Sequence, residues 1–270
     1  MDKSSFNNIR MAQGNKDIFL AIEQNKVNAY NQSQGEDDKT GIQCNACNNR
    51  GRIAFLGEEG KFCVRPCKCS GTRLTVSRLQ RQGLYEASRK MTVENFRAET
   101  DTQKALKNLV QKYITEKGPR WMILCGQSGA GKTHLCTAAF VQLSFDLGID
   151  GRYLLWNSDG RRIKAAAKEG DEQLLNDFKK CGLLYIDDLF KCKRDSEPSD
   201  ADVRLAFEIL DHRYSHKLRT IISTEMLQED LHYLDEAIHR RIHEMCGPYI
   251  GNIGRDPGKC YVPSNAKITR

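Results

Sequence analysis

Residues 121–136 read "WMILCGQSGAGKTHLC": an apolar run, a glycine-rich turn and the start of a helical pattern. Gly126, Gly131, Lys132 and Thr133 fit GxxxxGK[ST] without substitution. In that motif the backbone amides of the loop, here Gly126, Gln127, Ser128, Gly129, Ala130 and Gly131, converge on phosphate oxygens. Lys132 then reaches the β and γ phosphates of ATP, and Thr133 holds Mg²⁺. A chance match is the bland alternative, but a strand before and a helix after are the context the chemistry needs.

Working outward, "RYLLW" (152–156), "LLYID" (183–187) and "TIIST" (220–224) join "WMILC" (121–125) as short apolar strands. Helical patterns over 132–147, 161–180 and 201–216 separate them. This alternation predicts an α/β fold, a parallel sheet covered by helices on both faces. "LLYIDDLF" delivers Asp187 and Asp188 at a strand's C-terminal end, about fifty residues after the glycine loop. Asp187 is expected to hold Mg²⁺ through water, and Asp188 to orient or deprotonate the attacking water; the bland reading is a strand-end turn. Glu225 follows the fourth strand, where a polar group faces the same site. In "LDEAIHRRIHEMC", Leu234, Ile238, Ile242 and Met245 share one helix face, Arg240 points away from it and Arg241 borders it. Either arginine has a local partner in Glu236 or Glu244. The sharper alternative is an arginine finger completing a neighbouring subunit's site.

Residues 44–70 read "CNACNNRGRIAFLGEEGKFCVRPCKCS" and hold five cysteines where a tetrahedral site takes four. Cys44 and Cys47 form a CxxC, Cys67 and Cys69 a CxC, and the 19 residues between the pairs suit a hairpin closed by Zn²⁺. Few apolar residues lie between them, so metal binding, worth on the order of 10 kcal/mol, is expected to supply the folding energy. A redox CxxC is the rival, but it belongs beside a thioredoxin-like unit, and none precedes it. Strand parity does not separate Cys63 from Cys67 and Cys69. Its place inside the apolar "FCV" makes it the favoured spare. Cys125, Cys136, Cys181, Cys192, Cys246 and Cys260 are expected to be buried thiols.

The 270 residues leave room for a small module and a core-bearing domain, and 29% charged with 39% hydrophobic residues exclude a disordered chain. No apolar run nears the roughly 18 residues of a membrane span, and the first thirty residues lack a secretory signal. A cytoplasmic protein with no membrane partner is the expectation, and its eleven cysteines read as ligands and buried thiols. Between Lys61 and Lys90, eight basic residues face one acid, Glu86. That excess equals the chain's net +7 and reads equally as a solvated helix face or a polyanion contact. Ile18, Phe19, Ile22 and Val27 give a short helical pattern before the linker-like "NQSQGEDDKT", and "RLTVSRLQRQGLYEASRKM" a basic helical stretch broken at Gly83. The divisions expected are a helical arm (1–40), a four-cysteine zinc module (41–70), a basic connector (71–100) and an ATPase domain (101–270).

From about Gly41 to Gly247 the chain resembles the DnaC/DnaI-type bacterial replicative helicase loaders, AAA+ ATPases, particularly the phage and Gram-positive forms with a zinc module. "CNACNNRG" with "RPCKC", "RLQRQGLYEASRKMTVENF", "GQSGAGKTHLCTA", "LLYIDDLF", "PSDADVRLAFEILDHRY", "TIISTE" and "DEAIHRRI" carry the resemblance by order and spacing. It implies a lidless P-loop core, ATP and Mg²⁺ contact at 126–133 and Asp187, catalysis involving Lys132 and Asp188, and the finger at Arg241. It also implies zinc at Cys44, Cys47, Cys67 and Cys69, and a γ-phosphate sensor at Glu225, where many members have Asn. The partners it implies are a hexameric replicative helicase, single-stranded DNA, and further copies of the chain in a ring or spiral. A transposase-helper ATPase shares the core but generally lacks the zinc module. A non-catalytic zinc-containing adaptor is the alternative from another class.

Overall fold

The computed structural model describes residues 3–35, 40–82, 84–116, 121–192 and 196–254, with the backbone alone over 3–15. Part of the expected linker (36–39), the break at Gly83 and Cys260 lie outside the described residues. The chain divides into two units, Met1–Arg73 and Leu74–Arg270.

In the first unit, helix α1 (Lys3–Gln32) packs on an antiparallel hairpin of β1 (Arg52–Leu56) and β2 (Phe62–Pro66). The expected short apolar pattern is thus part of a 30-residue helix, and only one of its four apolar residues, Val27, is buried. Ile18, Phe19 and Ile22 are exposed, whereas Glu23 and Val27, four residues apart, are buried. The next position on that face is Asn31. Its amide donates to the Ala54 carbonyl and accepts from the Ala54 amide, both at 2.9 Å, as a neighbouring strand would. Glu23 accepts from the Phe62 amide at 2.7 Å. Polar groups that satisfy a strand edge fix this helix, beside the single buried apolar residue Val27.

The second unit is a five-stranded parallel sheet. After α2 (Cys69–Arg81), whose start belongs to the first unit, come α3 (Tyr85–Lys90), α4 (Asp101–Glu116), β3 (Trp121–Gly126) and α5 (Lys132–Leu147). Then follow β4 (Gly151–Leu155), α6 (Trp156–Lys168), α7 (Gln173–Lys180), β5 (Leu183–Asp187) and α8 (Asp200–Ser215). β6 (Arg219–Thr224), α9 (Gln228–Leu234), α10 (Glu236–Cys246) and β7 (Ile250–Ile253) complete the unit. The strand order is β4-β5-β6-β3-β7. Each central strand is apolar on both faces because both are covered: Trp121, Ile123 and Cys125 enter one core, Met122 and Leu124 the other. Cys125, Cys136, Cys181 and Cys246 are buried as expected. Cys192 is not. It is exposed in the segment beyond β5.

The four expected strands are present, with three differences in detail. Trp156 opens α6 instead of closing a strand, and the Asp159 carboxylate in the first turn accepts from the Leu155 amide at 2.9 Å. The helix expected over 161–180 is two helices, broken at Gly170, whose φ of +81 is left-handed. The fifth strand, "IGNI", carries no β signal. Its glycine is needed because a Cβ at Gly251 would lie 2.6 Å from Leu124 and 2.7 Å from Leu106.

Arg213 of α8 is fully buried and ties helix to sheet. Its guanidinium donates to the carbonyls of Phe178 (2.9 Å) and Cys181 (3.0 Å), to the Arg219 carbonyl, and to Thr220 Oγ1 (2.9 Å). Part of this acceptor set is the negative end of α7. Arg213→Met would leave several buried carbonyls unpaired, at roughly 1–3 kcal/mol each. It is expected to lower the stability of the second unit by about 3 kcal/mol in denaturant unfolding, against a negligible change for exposed Arg240→Met.

Candidate functional site

The glycine loop leaves β3 at Gly126 and enters α5 at Lys132. Gly126, Gly129 and Gly131 have φ of +110, +76 and +88, and a Cβ at Gly126 would lie 1.9 Å from the Ile253 carbonyl. Only glycine fits there. Lys132 folds back to donate to the carbonyls of Gly126 (2.6 Å) and Gln127 (2.7 Å). Burial lowers its ammonium pKa, and nearby Glu225 and Asp188 offset that only in part. The lysine is therefore caged by backbone dipoles beside two acids, in reach of an anion entering the loop.

β6 lies between β3 and β5, so the C-terminal ends of three strands meet at the loop. Asp187 closes β5 and is buried. Its carboxylate accepts from four hydroxyls: Tyr185 (2.7 Å), Tyr153 (2.8 Å), Thr133 (3.1 Å) and Ser223. A hydroxyl beside a fixed carboxylate is a hard oxygen pair of the kind Mg²⁺ takes, so Thr133 and Asp187 fit that ion. Asp188, at φ +57, turns the chain away from the sheet, and its amide donates to Ser223 Oγ at 3.0 Å. Lys191 bridges the next two acids, 2.9 Å from both Asp188 Oδ2 and Glu225 Oε1. Desolvation raises the Asp188 carboxyl despite Lys191. Glu225 is desolvated too, but Lys191 and Ser128 outweigh that and leave it lowered.

The glycine loop, Lys132, Thr133, Asp188, Lys191 and Glu225 border a cavity of about 1080 Å³, lined also by α3 and the segment after it through Ala87, Met91 and Asn95, and the buried Asp187 is tied to its wall through Thr133. His134, next to Thr133, holds that segment by a 2.8 Å hydrogen bond to the Thr92 carbonyl and an edge contact with Phe96. Sequence reasoning treated this stretch as a basic connector and missed its place at the site. Of the basic window, Lys90 lines the cavity, Arg78 pairs with Asp150, and Arg73 is buried at the cysteines. The window is therefore not one continuous charged face. Tyr185 carried a usable signal, since strand period two puts it on the face of Asp187. Tyr153 carried none; it arrives as the cross-strand partner of Tyr185.

Arg241 is not at the cavity. Its Nε and a terminal nitrogen donate to Asp211 Oδ1 at 2.9 and 2.7 Å, and it lies over the Phe207 and Tyr214 rings at 4.8 and 5.6 Å. Neither expected local partner holds it; Glu244 instead accepts from the Tyr214 hydroxyl. Arg240 is exposed.

In the first unit the four expected sulfurs converge. Cys44, Cys47, Cys67 and Cys69 place their Sγ atoms within 4.8 Å of one another, with Cys44–Cys67 at 3.8 Å and Cys47–Cys69 at 3.6 Å. Zn–S bonds of about 2.3 Å imply sulfur separations near 3.8 Å, so this donor set fits zinc. Cys63 stays outside the cluster, on β2 opposite Phe55.

The family model for IstB-like ATP binding proteins matches residues 71–240. The chain belongs to that family. The chain is 29% identical to the phage-like element PBSX protein XkdC of Bacillus subtilis (strain 168) over 229 residues, 80% of this chain and 84% of that protein. Among solved structures, the crystal structure of the DnaC helicase loader aligns with TM-score 0.51 at 22% identity, over 63% of this chain and 97% of that one. The replication initiator DnaA bound to AMPPCP and single-stranded DNA aligns with TM-score 0.50 at 20% identity, over 62% and 50%. The core is therefore an AAA+ P-loop fold of the DnaC type, as the sequence implied. The match to the IstB-like family begins at residue 71, after the last of the four clustered cysteines. Among the described residues, no helix is long and apolar enough to cross a membrane.

The cluster makes a direct prediction. Cys67→Ser is expected to abolish bound zinc, read as metal per chain by elemental analysis, whereas Cys63→Ser retains one equivalent.

Proposed function

We propose that the protein hydrolyses ATP and uses the cycle to load a hexameric replicative helicase onto single-stranded DNA. The observation that carries the ATPase reading is the meeting of the glycine loop, Asp188 and Glu225 at one cavity, with Asp187 bonded to Thr133 on its wall. Lys132 leaves the Gly126 and Gln127 carbonyls for the β and γ phosphate oxygens, with the loop amides on the same phosphates. Thr133 and Asp187 would hold Mg²⁺, which would neutralise phosphate charge. Asp188, freed from Lys191, orients the attacking water and accepts its proton. Glu225 senses the γ phosphate from the end of β6. Ala87, Met91 and Asn95 face the base side of the cavity.

The loader reading rests on the DnaC-type core together with the four-cysteine unit that precedes it. That unit favours a loader over a transposase helper, whose core generally stands without it. In this reading α1 and the zinc module grip the helicase, with the exposed Ile18, Phe19 and Ile22 available for contact. The ATPase units assemble in a ring or spiral, and Arg241 leaves Asp211 to reach a neighbouring subunit's nucleotide. Exposed basic groups such as Arg81 and Arg89 track phosphates of the single strand. Hydrolysis then releases the loader.

Two readouts test the parts separately. Asp188→Ala is expected to lower ATP turnover about 10²–10³-fold without loss of nucleotide binding. Equal and negligible rates in wild type and variant would remove the enzyme reading and leave an adaptor. The chain is also expected to co-purify with the replicative helicase in the presence of ATP, and to lose it on deletion of residues 1–70. No association in any nucleotide state would refute the loader.

A further inference from the structure

The zinc reading of the cysteine cluster raises a charge problem that one side chain answers. Four thiolates around a divalent cation carry a net charge of −2, and such a centre is stable only where outer groups offset it and hydrogen-bond the sulfurs. Two of the four sulfurs have an N–H directed at them. The Gly51 amide donates to Cys47 at 3.2 Å, a backbone contact that follows from the turn after the first ligand pair. Cys69 accepts from a side chain, the Nε of Arg73 at 3.3 Å, one helical turn along α2.

Arg73 is 7% exposed, which is rare for arginine. Its other nitrogens donate to the Ile42 carbonyl at 2.7 Å and to Thr40 Oγ1 at 3.5 Å. The guanidinium therefore spans the cluster, joining the CxC ligand to the segment that leads into Cys44. A neutral thiol is a poor acceptor and a poor reason to bury a cation, whereas a metal-bound thiolate is a strong one.

We propose that Arg73 is a positioning residue of the metal centre. It supplies a side-chain donor to Cys69, reduces the centre's charge to −1, and fixes the two ligand pairs relative to each other. This rests on the zinc reading, and the experiment separates the two.

Zinc affinity of the full-length chain is measured by competition with a chromophoric chelator, for wild type, Arg73→Met, Arg73→Lys and the control Arg65→Met. Arg65 is exposed on β2 and lies over the Phe55 ring. Arg73→Met is expected to bind zinc about 10–100-fold more weakly, in line with other outer-shell losses. Arg73→Lys, which keeps the charge without the directed fork, should recover part of that, and Arg65→Met should match wild type. With Co²⁺ in place of zinc, the thiolate-to-metal charge-transfer band is expected to shift in Arg73→Met, an effect that loss of packing elsewhere would not produce. Nucleotide binding by the second unit serves as the folding control. Affinity within twofold of wild type for both Arg73 variants, with an unshifted cobalt band, would overturn the inference and leave the zinc site standing. A wild-type chain that binds neither metal would overturn both.

Discussion

The buried carboxylate of Asp187 is the interaction on which the nucleotide site depends. A charged group at 3% exposure is tolerable only if its oxygens are fully engaged, and four hydroxyls from β4, β5, β6 and the start of α5 engage them. Each donor comes from a different part of the fold, so the carboxylate joins the sheet to the helix that carries Lys132. The strand order makes this possible. With β6 between β3 and β5, the ends of three parallel strands reach one point, the crevice at which open α/β sheets bind their ligands.

Much of the second unit was legible in the sequence because its signals are local. Glycines at 126, 129 and 131 need left-handed backbone, apolar runs covered on both faces read as strands, and the acids at 187 and 188 end one of them. What stayed hidden depends on residues brought together from afar. Tyr153 meets Asp187 through the β4–β5 register, Arg241 finds Asp211 thirty residues upstream, and β7 is held as a strand by a glycine that lets two leucines in. The stretch after α3 reaches the cavity by a contact between His134 and the Thr92 carbonyl that no periodicity predicts.

The first unit shows the opposite balance. Cysteine spacing pointed to the four ligands, and the fifth was separable only by its position within an apolar run. The buried face of α1 is not marked by apolar residues alone, because Glu23 and Asn31 bind it to the hairpin through backbone groups. A unit with so little apolar interior relies on directed polar bonds and on its cysteine centre for a fixed shape. That reliance is why its design is less visible to hydrophobic patterning than the sheet that follows.

The central claim, that the loop and Asp187 form one magnesium–nucleotide site, is tested most directly by calorimetric titration of a non-hydrolysable ATP analogue with and without Mg²⁺. Wild type is expected to bind at least tenfold more tightly with the ion, and Asp187→Asn to lose most of that difference while retaining metal-free binding. Identical magnesium dependence in the two proteins would contradict the account.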